Sequence, residues 1–105
     1  MVRGDLFRLP APRDARGAEQ RGARYCVVVQ ADDFLPFRTV LVAPTSTRAK
    51  PASFRPAIDL AGTPTRVLVE QTTVVDPQRL GGFAGRLDAD ERRAVDHALL
   101  LILGL

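Results

Sequence analysis

The sequence predicts a mainly β fold, a small curled β-barrel or sheet closed by one C-terminal α-helix. Three observations lead there. Short β-prone runs recur between breaks rich in Pro, Gly and Asp along most of the chain. One of them, from Arg24 to Ala31, is apolar on both faces and reads as a central strand. One long helical period stands at the end, between Asp88 and Leu103. The 105 residues are read as a single domain spanning 1–105, with enough length for one core and little left over.

Asp5 to Leu9 is a short strand, stopped by Pro10 and Pro12. Pro10 to Ala23 has no helical or strand period and reads as a long loop, of a length that is usually functional or partly disordered. The central strand follows, and Asp32-Asp33-Phe34-Leu35-Pro36-Phe37 turns the chain, with an Asp-capped helical turn expected. Thr39 to Pro44 is another apolar strand, ending in the hydroxyl cluster Thr45-Ser46-Thr47. Phe54 to Leu60 and Thr65 to Glu70 are expected to pair as a hairpin across Ala61-Gly62-Thr63.

Val74-Val75 continue a strand. Asp76 then caps a helical turn with Pro77 at its first position, and Gly81-Gly82 end it. Phe83 to Leu87 is the last strand. In the terminal helix Asp88 caps, Glu91 completes a capping box, and Gly104 closes. Ala94, Val95, Ala98, Leu99 and Ile102 form its apolar stripe. Leu100, Leu101 and Leu103 widen that stripe beyond a one-sided surface helix, which calls for deep burial or a subunit interface. The interface is the reading taken here.

Composition excludes several classes. Apolar residues are 46% and charged residues 26%, so wholesale disorder is not expected. Cys26 is the single cysteine, which rules out an intrachain disulfide, and its apolar surroundings mark it as a buried, inert thiol. His97 is the only histidine, so neither a zinc set nor a paired-His or triad mechanism can be assembled. No cofactor and no metal are expected. No apolar run approaches the roughly 18 residues that span a membrane, and Met1-Val2-Arg3-Gly4-Asp5 is not a signal peptide, so a cytoplasmic location is expected. The net charge is +3, and Lys50 is the only lysine, so 14 of the 15 basic residues are Arg. The planar guanidinium suits phosphates and bases, although a codon bias toward Arg would leave the same record.

The chemistry-bearing residues that remain are Glu19, Arg24 and the Thr45-Ser46-Thr47 cluster. Cleaving RNA through its own 2′-hydroxyl needs a proton acceptor, a cation for the phosphoryl oxygens and a means to release the 5′-oxygen. A carboxylate, an arginine and a strand-end hydroxyl are of the right types. The same residues would equally make a loop salt bridge and a Thr-rich turn.

Blocks along the chain resemble the MazF/PemK toxin family. They are Gly4-Asp5-Leu6-Phe7, Gly17-Ala18-Glu19-Gln20, and Arg24-Tyr25-Cys26-Val27-Val28-Val29. Then follow Val42-Ala43-Pro44-Thr45-Ser46-Thr47, Glu70-Gln71, Asp76-Pro77-Gln78-Arg79-Leu80, Gly85-Arg86-Leu87 and the closing helix. The resemblance implies an SH3-like β-barrel of MazF/CcdB type and a homodimeric, metal-independent messenger-RNA interferase. Such an enzyme cleaves single-stranded RNA to a 2′,3′-cyclic phosphate and a 5′-hydroxyl. It implies Arg24 as the transition-state cation, Thr45 as the phosphate-binding hydroxyl and Glu19 as candidate base. Ser46, Gln20, Gln71, Arg13, Arg16 and Arg21 are implied as RNA contacts. It also implies a MazE-like antitoxin partner with an acidic, disordered tail.

The chain departs from the pattern at Tyr25, where the family usually has Pro; an exposed ring there could stack on a base, or be a plain strand aromatic. Ala23 replaces a His found in some members, and Thr72-Thr73 replaces a pair that often includes a basic residue. Two other classes share the fold. A CcdB-like gyrase inhibitor commonly carries a terminal Trp, absent here. A non-catalytic SH3-like binding module would use Arg24 and Glu19 only as an ion pair.

Overall fold

The computed structural model describes residues 1–10, 24–35 and 38–105. The described strands are β1 (Asp5–Arg8), β2 (Tyr25–Val28), β3 (Val40–Ser46), β4 (Ala57–Leu60), β5 (Thr63–Val67), β6 (Thr73–Val75) and β7 (Phe83–Arg86). The helix α1 covers Ala89–Leu103. The strands pair antiparallel in the order β4-β5-β3-β2-β1-β7, and β6 also joins β3.

β3 is the hub. It runs beside β2 from Val42 to Pro44, while its other edge is taken first by β6 at Val40–Val42 and then by β5 at Thr45–Ser46. One strand edge shared by two partners, added to the normal strand twist, curls the sheet into a half-barrel. The mainly β architecture with a C-terminal helix is therefore as expected.

Because β2 and β3 are apolar on both faces, the sheet has a core on each side. On one side Leu6, Val27, Ala43, Ile58, Val67 and Val69 pack with Val95 and Ala98 of α1. On the other, Cys26, Val28, Val40 and Val42 are covered by Phe7, Leu9, Leu35, Val75 and Leu80. Successive strand residues point to opposite faces, so these two sets also label which way every neighbouring side chain turns.

Local chemistry explains the joints. Gly4 adopts φ +93, donates its N–H to the Val28 carbonyl at 2.8 Å and accepts from Leu87 at 2.9 Å. Beside it the buried Asp5 carboxylate accepts the Val2 N–H at 2.9 Å and pairs with Arg86 Nε at 2.7 Å. The β4–β5 loop is Ala61-Gly62, both with positive φ, as the tightest hairpin turn requires. Asp88 and Glu91 form the capping box of α1, and Gly104 ends it in the left-handed region.

Several element boundaries differ from the sequence reading: β2 stops at Val28 and not at Ala31, β3 runs past Pro44 to Ser46, and β5 begins at Thr63, which leaves a two-residue turn where three residues were expected. β4 begins at Ala57 rather than Phe54, because Arg55 N–H bonds back to the Ala52 carbonyl and Pro56 cannot donate to the ladder. β5 ends at Val67, after which Val69–Gln71 winds into a single 3-10 turn, its preceding Leu68 N–H held by the Pro44 carbonyl at 2.8 Å. The turn at Asp32–Phe34 has no side-chain cap; Asp32 Oδ1 instead accepts the Arg3 N–H at 2.6 Å. By contrast Asp76 does cap the Pro77–Arg79 turn, through Gln78 N–H. Leu101, Leu103 and Leu105 are 51%, 62% and 83% exposed, so the end of α1 is not buried by the described residues of its own chain.

Cys26 is fully buried, and burial pushes its thiol up to about 11, against a weaker lowering by a hydrogen bond with the Phe7 backbone. The thiolate is the reactive species. Iodoacetamide at pH 8 should therefore leave the folded protein unlabelled and label it fully in denaturant. An unfolded thiol ionises near 9.0 and the folded one near 11, so stability falls as pH rises through that window. Cys26→Val should remove that part of the alkaline loss in a urea-melt series.

Candidate functional site

Arg24 directly precedes β2. Its carbonyl accepts the Leu9 N–H at 2.8 Å, which extends the β1–β2 ladder by one more residue and fixes the backbone at this point. Between β2 and β3 the register pairs Cys26 with Pro44, Val27 with Ala43 and Val28 with Val42. Carried two residues on, it sets Tyr25 opposite Thr45 and Arg24 opposite Ser46. The Thr45 hydroxyl donates to the Tyr25 carbonyl at 3.2 Å, in keeping with that alignment.

In-register residues on neighbouring strands share a face. Tyr25 and Thr45 thus turn toward the helix-side core, where Tyr25 is half-buried against the cluster containing Val27 and Val67. Arg24 and Ser46 turn to the other face. On the far edge of β3, Ser46 pairs with Arg66 and Thr45 with Val67. Ser46 and Arg66 therefore sit side by side on two strands, and Arg24, one residue before β2, continues that row by the extended register.

The two hydroxyls differ in what they can still do. A hydroxyl has one proton to donate and two lone pairs. Thr45 has committed its proton to the Tyr25 carbonyl. Ser46 Oγ accepts the Arg48 N–H at 3.1 Å, and among the described residues its proton has no acceptor. Of Thr45 and Ser46, then, Ser46 is the one that shares a face with Arg24 and keeps a donor. Tyr25 does not share that face, because a single step along a strand reverses direction.

Other residues singled out from the sequence are distributed as follows. Gln71 is exposed in the Val69–Gln71 turn, tied to β3 through Leu68. Glu19, Gln20, Arg13, Arg16 and Arg21 lie outside the described residues. His97 is exposed on α1. Among the described residues no three His, Cys, Asp or Glu side chains converge as metal ligands, and no helix is long and apolar enough to cross a membrane.

A second polar cluster adjoins the row. Arg55 binds Glu70 Oε2 through Nε at 2.8 Å and Nη2 at 2.6 Å, and its Nη1 reaches the Lys50 carbonyl at 3.3 Å. Its guanidinium also stands 5.4 Å from the centre of the Phe54 ring. Arg66 Nη1 donates to the Arg55 carbonyl at 2.8 Å. Nothing in the residue pattern marks Arg55 as a partner of Glu70, fifteen residues on. For Arg66 the expected turn across Ala61-Gly62-Thr63 left the register open; the observed two-residue turn at Ala61-Gly62 sets it opposite Ala57, turned outward between Thr65 and Val67.

A cleft of about 340 Å³ lies away from this row, between Arg3-Gly4 ahead of β1, the end of β2 and α1. Its Arg3 is paired with Asp96 at 2.8 Å and its Arg93 with Asp90. Two of its arginines are thus already answered by carboxylates of the same chain.

A model of the PemK-like, MazF-like toxins of type II toxin-antitoxin systems matches residues 2–103. The chain belongs to that family. It is 41% identical over 106 residues to a Mycobacterium tuberculosis H37Rv protein provisionally named a toxin, covering 100% of this chain and 99% of the relative. Its fold matches a mycobacterial endoribonuclease solved with its cognate antitoxin, at TM-score 0.83 and 17% identity, over 100% of this chain and 96% of that one. It also matches the Mycobacterium tuberculosis toxin MazF-mt6, at TM-score 0.77 and 20% identity, over 98% of each chain. The chain is a toxin of the MazF/PemK family, on the fold of those proteins.

The Arg55–Glu70 pair is half-buried and is the described tie between the segment before β4 and the turn after β5. Glu70→Ala would leave Arg55 without its counter-charge, at a cost of about 2–3 kcal/mol. The melting temperature should fall by several degrees, and amide exchange should quicken around Ala52–Arg55 before it does so in β2.

Proposed function

We propose that this toxin is a metal-independent endoribonuclease acting on single-stranded RNA by internal attack of a 2′-hydroxyl. The observation that carries the reading is the row in which Arg24 and Ser46 share one face of the sheet, on backbone held by the β1–β2–β3 ladder. Membership of the MazF/PemK family and the likeness to a structure named as an endoribonuclease support it.

The 2′-oxygen forms a bond to phosphorus as the bond to the 5′-oxygen breaks. The proton of the 2′-hydroxyl passes to a base, and the 5′-oxygen leaves with a proton from water. The products are a 2′,3′-cyclic phosphate and a 5′-hydroxyl. As phosphorus becomes five-coordinate, negative charge builds on its nonbridging oxygens. Arg24 supplies a planar, multiply donating cation for that charge and for the departing oxygen. Ser46 donates its remaining proton to a nonbridging oxygen. Thr45, implied for that role by resemblance, instead braces the Tyr25 backbone beside Arg24. Glu19 is proposed as the base on residue type, and Gln71, with Gln20 and the arginines at 13, 16 and 21, as further RNA contacts.

The exposed leucines at the end of α1 are proposed as part of a homodimer surface, since so much apolar area rarely faces water in a monomer. A cognate antitoxin with an acidic, disordered segment is the proposed partner, as the neighbouring complex suggests. The cytoplasm is the proposed site of action.

The test is cleavage of a mixed-sequence single-stranded RNA in EDTA, with both ends mapped. The wild type should cut at a recurring motif and leave 5′-hydroxyl ends. Arg24→Ala should lose roughly a hundred- to a thousand-fold in rate with an unchanged circular dichroism spectrum. A variant keeping more than half the activity would overturn the mechanism. Absence of cleavage by folded wild type would overturn the function.

A further inference from the structure

We infer that Arg66 is a phosphate-binding residue of the RNA face, holding a backbone phosphate next to the one that Arg24 and Ser46 engage. The inference rests on the ribonuclease reading above and adds to it a contact on a separate strand. Three observations carry it. First, Arg66 is in register with Ser46 across the β3–β5 pairing, so the two residues share a face. Arg24 lies on the opposite side of Ser46, two strand spacings away, about 10 Å from Arg66 at the backbone. Both side chains are long enough to reach successive phosphates of one strand laid across β3.

Second, Arg66 has no carboxylate partner among the described residues. Its Nη1 is held at 2.8 Å by the Arg55 carbonyl, a neutral group, which orients the guanidinium and leaves its other donors. Neighbouring Arg55 is different. Its charge is answered by Glu70 through two contacts, so Arg55 serves as scaffold and Arg66 carries the net charge of the cluster.

Third, Arg66 interrupts no core. Thr65 and Val67 on either side are buried, with 3% and 0% exposure, while Arg66 is half-buried and turned the other way. A cation on an outward strand position, oriented by a backbone carbonyl and paired with no carboxylate among the described residues, is arranged for an anion that arrives from outside. Single-stranded RNA crossing the Arg24–Ser46 row supplies one.

The experiment uses a 2′-O-methyl RNA containing the cleavage motif, which binds without being cut, titrated by fluorescence anisotropy between 50 and 200 mM salt. Arg66→Gln keeps an N–H donor for the Arg55 carbonyl but removes the charge. It should weaken binding about tenfold and lower the slope of log affinity against log salt by about 0.7, one single-strand phosphate. Single-turnover cleavage at saturating enzyme should stay within about threefold of wild type, because Arg66 lies off the scissile phosphate. Arg66→Lys should restore the salt slope. A melting curve for each variant separates these effects from misfolding. A wild type that binds and cleaves, with an Arg66→Gln variant of equal affinity and slope, overturns this inference and leaves the ribonuclease intact. Arg66→Lys behaving like Arg66→Gln overturns it too. A wild type that does not bind RNA overturns both readings.

Discussion

The antiparallel register between β2 and β3 is the constraint on which the rest of this molecule depends. Pairing Cys26 with Pro44 sends Val27 and Ala43 to one face and Val28 and Val42 to the other, which is what lets a small sheet carry a core on each side. The same pairing decides which polar residues at the strand ends face together. A slip of one residue would exchange the faces of every side chain on one strand. It would bury Arg24 toward α1 and turn Tyr25 outward. Two filled cores make that slip costly, so the cation and hydroxyl at the sheet end are placed by packing far from them.

Placement by packing explains how little dedicated machinery the site needs. Arg24 sits in an extended ladder, closed by Leu9 on one side and bordered by β3 on the other. Thr45 ties its hydroxyl to the Tyr25 carbonyl and stiffens the backbone between the two strands. A cation whose backbone is already held needs less reorganisation when charge appears on a phosphoryl group, the condition under which electrostatic stabilisation is strongest. The Arg55–Glu70 pair does the equivalent for Arg66, anchoring the carbonyl that orients it.

Much of the architecture was legible in the sequence because its signals are local. The capping box of Asp88 and Glu91, the Gly104 stop, the Asp76-Pro77 turn and the Ala61-Gly62 hairpin all appear where residue chemistry demands them. The doubly apolar run after Arg24 became the central strand for the same reason. What escaped the sequence is nonlocal. The end of β5 depends on the Pro44 carbonyl capturing Leu68 from another strand. The choice between Thr45 and Ser46 is of this kind as well. Adjacent hydroxyls of equal chemistry can be told apart only by register, and register is set by partners twenty residues away.

The measurement that most directly tests this account compares single-turnover RNA cleavage by Ser46→Ala and Thr45→Val at saturating enzyme. If the face shared with Arg24 decides which hydroxyl meets the phosphate, Ser46→Ala slows the chemical step by tenfold or more. Thr45→Val, which removes only the brace to the Tyr25 carbonyl, then lowers stability more than rate. A large rate loss in Thr45→Val with Ser46→Ala near wild type would contradict the account, and would place the working hydroxyl on the helix-side face.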